Sequence, residues 1–171
     1  EHIALHRKLV EQTRALFGGE HYDHYDFLFA VTNQLGGIGL EPQRSSENTE
    51  GRDYFSGWDA KIGSTDLLGH EYAHSWDGKY RRPADLTTPH YNVPMQGSLL
   101  WVYEGQTEFW GRILAARAAL RRRQDTLDQL ALDAAEGSSD CHSPLRGIST
   151  QSPSPTARIA SRSTSRATLP L

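Results

Sequence analysis

Residues 2–17 (HIALHRKLVEQTRALF) place Ile3, Leu9, Val10, Leu16 and Phe17 at near-helical spacing, and Gly18-Gly19 ends the run. From His24 to Thr32 (HYDFLFAVT) the pattern alternates and then turns continuously apolar, which predicts a strand. The next stretch, Asn33 to Glu41 (NQLGGIGLE), carries three glycines among apolar residues. It reads as a second strand where another part of the chain comes close, and Pro42 confines pairing there to an edge or a strand end. Residues 43–64 lack either period and read as a loop. A helix with Ser64 or Thr65 as N-cap is expected to run through Trp76. Residues 77–97, with Pro83, Pro89, Pro94 and Gly97, read as irregular. Ser98 to about Leu120 and Arg122 to Ala135 read as two further helices. Helix, strands and then helices make the fold class α+β.

Composition changes this picture at one place. Every aromatic residue lies at or before Trp110, and from Gly137 the text becomes rich in Ser, Arg, Pro and Thr with a single acid, Asp140. Such a stretch holds too little apolar surface to offset the entropy of ordering it. The expectation is one folded domain over 1–136, incomplete at both ends, and a disordered or out-of-frame tail over 137–171. The chain begins at Glu1 without a methionine or signal pattern, and so reads as an internal piece of a longer protein. A net charge of −3 offers no basic surplus for nucleic acid, and no apolar run is long enough for a membrane span. The lone Cys141 excludes an internal disulfide framework.

Candidate chemistry sits in His70-Glu71-Tyr72-Ala73-His74, an H-E-x-x-H pattern. On a helix the two histidines are one turn apart on the same face, so both imidazoles can meet one ion. Nitrogen donors in this arrangement suit one Zn²⁺ per chain, and Glu71 beside the first of them is placed to accept a proton from water. Glu104, in Leu100-Trp101-Val102-Tyr103-Glu104-Gly105, supplies a third donor from a separate helix; two histidines and a glutamate form a catalytic zinc set. Gly105 is the expected point where two helices approach closely. Glu108, one turn after Glu104, could orient His70 through its free ring nitrogen, with a solvated surface glutamate as the alternative.

His70 to Leu86 (HEYAHSWDGKYRRPADL) and Ser98 to Trp110 (SLLWVYEGQTEFW) resemble the glycyl aminopeptidase family of gluzincin metallopeptidases. The upstream Gly36-Gly37-Ile38-Gly39-Leu40-Glu41 resembles that family's Gly-Gly-x-Glu segment, and the likeness runs from about Asp23 to Ala135. It implies a thermolysin-like domain, a small mixed sheet whose edge strand lines a cleft over a helical zinc-binding lobe. It further implies a zinc aminopeptidase acting on peptides with a free N-terminus and a small first residue. In that reading Gly37, Ile38 and Gly39 bind substrate as an added strand, and Glu41 pairs with its α-amino group. The resemblance alone favours an exported or periplasmic bacterial location. Two departures stand out: Pro42 replaces a histidine common in relatives, and no tyrosine follows Tyr103 to serve as the family's oxyanion donor. A zinc endopeptidase of the same fold, or a catalytically impaired zinc-binding fragment, are the rival readings.

Overall fold

The computed structural model describes residues 1–58 and 65–141, with side chains to residue 136. Helix α1 (His2–Phe17) ends at Gly18, whose φ of 78° is the left-handed conformation that an ordinary side chain resists. Leu9 on α1 is buried, whereas Ile3 at the first turn is exposed. Strand β1 (Asp26–Val31) follows, then the two-residue β2 (Gly39–Leu40) and β3 (Ser45–Glu50).

The sheet order is β1-β3-β2, with β3 parallel to β1 from Asp26↔Ser45 to Val31↔Glu50 and antiparallel to β2. The central strand therefore lies inside 43–64, the stretch whose pattern predicts a loop. Its sequence, SSENTE, has no apolar residue, so hydrophobic alternation cannot reveal it. Ser46, Asn48 and Thr49 are nonetheless fully buried, and hydrogen bonds from the Asn48 amide meet part of the cost. The Asn48 side-chain amide donates to Ser46 Oγ at 2.9 Å and to the Leu28 carbonyl at 3.3 Å. The glycine-rich strand shrinks to Gly39–Leu40, which forms an edge, as Pro42 permits.

Helix α2 (Leu67–Ala73) is shorter than its pattern suggests. Its N-cap is Asp66, in place of Thr65, with no side-chain capping bond among the described residues; Ser64 lies outside them. The Asp66 carboxylate instead faces Arg121, 3.2 Å away and buried. After Ala73 the chain tightens, with the amides of Ser75 and Trp76 bonding three residues back. Within 77–97 there is one short 3₁₀ turn, Ala84–Leu86. The next helix begins as a π-helical segment, Trp101–Gln106, and becomes regular as α3 (Thr107–Arg117). Helix α4 (Arg123–Cys141) carries helical backbone past residue 136, and the rest of the expected tail lies outside the described residues.

Leu9, Leu68, Ala73, Leu114, Ala115, Ala118 and Leu120 form the core between α1, α2 and α3. An aromatic wall extends it, with Phe17 stacked on Trp76 at 5.0 Å and Tyr72 set edge-on to Phe27 at 5.1 Å. The close approach of α2 to α3 is made by Gly111: a Cβ there would stand 3.1 Å from the His70 backbone. Gly105, the expected contact, has no atom within 4 Å of its would-be Cβ among the described residues. This packing presses the histidine-bearing helix against the helix that follows the π segment.

Candidate metal centre

His70 and His74 project from α2 so that their Nε2 atoms lie 3.0 Å apart. Glu104, from the π-helical segment, brings Oε2 to 3.4 Å from His70 Nε2 and 3.5 Å from His74 Nε2. These donors form a group that could hold a metal ion. Donors at ~2.1 Å from a tetrahedral centre stand ~3.4 Å from one another, so the three atoms already have the spacing of a ligand shell.

The tautomers strengthen the fit. His74 Nδ1 lies 3.1 Å from the Asp77 carbonyl, which can only accept, so Nδ1 carries the proton and Nε2 the lone pair. Burial, aided by the charge of His70, pushes the His74 pKa down to about 4 and keeps this ring neutral. His70 Nδ1 lies 2.9 Å from Glu108 Oε2, which likewise turns its Nε2 inward. Burial disfavours the charged His70 ring, but the Glu108 bond and the charges of Glu71 and Glu104 outweigh it and raise its pKa. Two inward nitrogen lone pairs and a carboxylate converge on one point, which is favourable only if a proton or a cation stands between them. The donor set therefore fits a metal.

Glu71 follows His70 on α2 and is 5% exposed, with Oε2 buried and lacking a hydrogen-bond partner among the described residues. Burial pushes its carboxyl up to about 7, with Glu41 and Glu104 adding to the rise and His70 opposing it. Gly39 on β2 lies directly over this carboxylate: a Cβ there would stand 1.9 Å from Glu71 Oε1. The absent side chain is what lets the sheet edge close on the helix. A cavity of about 290 Å³ opens here, bounded by Gly37, Glu50, His70, Glu71 and Glu108. Ile38 is half exposed, and its carbonyl accepts from the Thr49 amide at 2.9 Å. A second cavity of about 410 Å³, apolar, lies between α1 and β1 beside Leu9 and Phe29, apart from the histidine pair.

Glu41, just past β2, meets partners that the sequence pattern does not indicate. Its Oε1 accepts from the Tyr103 hydroxyl at 2.5 Å and lies 3.3 Å from Lys79 Nζ. Burial opposes ionisation of Glu41, but the Tyr103 hydroxyl and Lys79 prevail and hold its carboxyl below the ordinary value. The Tyr103 ring packs on His74 with centroids 4.6 Å apart, so Glu41 and the histidine pair are separated by a single aromatic ring. Gly78, at φ 109°, makes room for that ring, since a Cβ there would stand 2.1 Å from it. Adjacency to Glu104 is the one sequence signal for Tyr103; Lys79 lies in a loop with no period to mark it.

Glu108 Oε1 accepts from Arg112 at 2.6 Å, and Arg112 also reaches Asp133 on α4 at 3.2 Å. His70 is thus the end of a chain of charged groups crossing α2, α3 and α4. Among the described residues, no helix is long and apolar enough to cross a membrane.

A search of the curated proteins returns no match. Among solved structures, the chain resembles an aminopeptidase N family protein from Idiomarina loihiensis, at 27% identity and a TM-score of 0.65. The likeness covers 73% of this chain and 22% of that one, so the chain spans about a fifth of the relative's length. The profile of a family described as M61 glycyl aminopeptidase matches residues 64–167, from just before α2 across the change of composition near residue 137. That match takes in more than half of the sequence, and the chain belongs to the M61 glycyl aminopeptidase family.

Proposed function

We propose that this chain carries the catalytic lobe of a zinc aminopeptidase of thermolysin-like architecture. Its substrates would be peptides with a free N-terminus and a small first residue, glycine or alanine. The observation that carries the reading is the convergence of His70, His74 and Glu104 beside a buried carboxylate, Glu71, beneath a glycine-rich sheet edge. His70, His74 and Glu104 would hold the ion. Zinc in such a site acts as a Lewis acid toward the scissile carbonyl and lowers the pKa of water.

The chain's own groups account for the remaining steps. Glu71 accepts a proton from the attacking water and delivers it to the leaving amine nitrogen as the carbon–nitrogen bond breaks. Its carboxyl is pushed up to about 7 by burial, and a cation nearby would draw that value down, leaving Glu71 ionised and ready to accept. Gly39 lies in the edge strand β2, with Gly37 and Ile38 leading into it, and an extended peptide would add beside them as a further strand. Glu41 receives the α-ammonium.

The pairing of Glu41 with Lys79 favours one other reading, a zinc endopeptidase in which Glu41 is a structural anchor. Hydrolysis of glycyl and alanyl amides by the zinc-loaded chain, compared with their N-acetylated forms, separates the two. We expect one zinc per chain and turnover of the free amides only, with Glu71→Gln keeping the metal and losing the activity. Equal turnover of free and acetylated substrates would establish the endopeptidase reading. Full activity in Glu71→Gln would remove Glu71 as the base.

A further inference from the structure

Glu41 is a carboxylate with its two oxygens in different situations. Oε1 takes both the Tyr103 hydroxyl and the Lys79 ammonium, whereas no hydrogen bond reaches Oε2 among the described residues. Lys79 is itself three-quarters covered, with its side chain 25% exposed against 21% for Glu41. Its nitrogen lies 5.5 Å from the centre of the Tyr103 ring, and its backbone amide is fixed by the His74 carbonyl at 3.1 Å. The positive-φ turn at Gly78 and the bond back to His74 thus deliver a primary ammonium to a carboxylate one aromatic ring away from the histidine pair.

The geometry points to Lys79 as a tethered competitor of the substrate's α-ammonium, a specificity-determining residue that holds Glu41 whenever no free N-terminus is bound. This inference rests on the reading of Glu41 as the α-amino site. The argument is one of charge. The Glu41 side chain is only 21% exposed, and Tyr103, which meets it, is the chain neighbour of Glu104. A carboxylate left unpaired in that company is costly, so the empty site needs a cation of its own. A second ammonium bound at Oε2 would stand within roughly 5 Å of Lys79 Nζ, where like charges repel appreciably even in a partly wet site. Lys79 must therefore swing aside when substrate enters, and its flexible four-carbon stem permits this. The same competition returns the site to its closed pairing when an amino-acid product, which carries its own ammonium, has to leave. Apparent affinity for an amine is then the intrinsic affinity reduced by the fraction of time that Lys79 leaves Glu41 free.

The test is a binding ratio on the zinc-loaded 171-residue chain, read by calorimetry with alanine hydroxamate and its desamino counterpart, propionohydroxamate. The two probes differ in the α-amino group, and both can chelate the ion. Lys79→Met is expected to tighten alanine hydroxamate by about fivefold relative to propionohydroxamate, with zinc content and thermal midpoint serving as controls for folding. Lys79→Arg, which retains the cation, is expected to keep the wild-type ratio. An unchanged or reduced preference in Lys79→Met would overturn the inference, because Lys79 would then be neutral or would position Glu41. Glu41→Gln provides the separate check. A preference that disappears in Glu41→Gln but ignores Lys79→Met sinks this inference alone. A preference indifferent to Glu41 removes the α-amino site, and the competitor with it.

Discussion

His70 and His74 stand one turn apart on α2, turn the same nitrogen toward the same point, and are held there by unlike means. His74 is 1% exposed, packs against Tyr103, and gives its Nδ1 proton to the Asp77 carbonyl three residues on. Its orientation belongs to the local path of the chain. His70 is 17% exposed at its side chain and depends on Glu108 from α3, which depends on Arg112, which is shared with Asp133 of α4. One histidine is set by backbone and the other by a relay of charged side chains across three helices. A site assembled this way has a half that point mutations outside the cluster barely reach, and a half open to substitution two helices away.

The largest effect that can test the contrast is removal of a donor. His74→Ala or Glu104→Ala is expected to lower zinc affinity by at least a hundredfold in a chelator competition, since two remaining donors make a poor site for a tetrahedral ion. Unchanged affinity in either variant would take that residue out of the ligand set. Next comes Glu108→Gln, which keeps the shape but removes the charge that His70 leans on. A loss of ten- to a hundredfold in zinc affinity is expected, as is usual when the acceptor behind a ligating histidine is altered. A loss of less than twofold would mean that His70 needs no carboxylate to orient it. Arg112→Met should weaken zinc binding by a few-fold, because Glu108 would keep its place on His70 but lose its own partner. The smallest effect is expected from Asp77→Asn. Its carbonyl still faces His74 and only the acceptor for the Thr107 hydroxyl changes, so zinc affinity should move by less than twofold. If Asp77→Asn were to cost more than Arg112→Met, the division into a backbone-held and a side-chain-held histidine would fail.

The parts of this arrangement that were legible in the sequence share one property: their signal lies in spacing along a single element. The histidine pair needs only a helix, and α1, β1 and α4 each carry their own period or caps. What was not legible depends on partners far along the chain. Strand β3 is written in Ser, Glu, Asn and Thr, and becomes a central strand because β1 and β2 bracket it and Asn48 ties Ser46 to the Leu28 carbonyl of β1. Gly105 and Gly111 look alike as text, yet Gly111 meets the His70 backbone, whereas a Cβ at Gly105, in the π-helical segment, would have no atom within 4 Å among the described residues. The Lys79 contact with Glu41 joins residues thirty-eight positions apart through a turn at Gly78. Nothing in local pattern could have paired them.

The π-helical segment from Trp101 to Gln106 also makes the length of this region a counted quantity. A π turn holds more residues than an α turn, so it is the trace of an extra residue accommodated within a helix. Deleting one residue between Trp101 and Glu104 would leave the helix content nearly the same. Deleting Gly105 or Gln106 instead would carry Glu104 around the axis by roughly 100° relative to α3, the angle between successive α-helical residues. Glu108 would remain behind His70 while the third donor swung out of reach. Exposed side chains here, such as that of Trp101, can be exchanged at small cost to the site, whereas the spacing between Glu104 and Glu108 cannot change by even one. Insertions and deletions, rather than substitutions, are therefore the changes to which this helix is least tolerant.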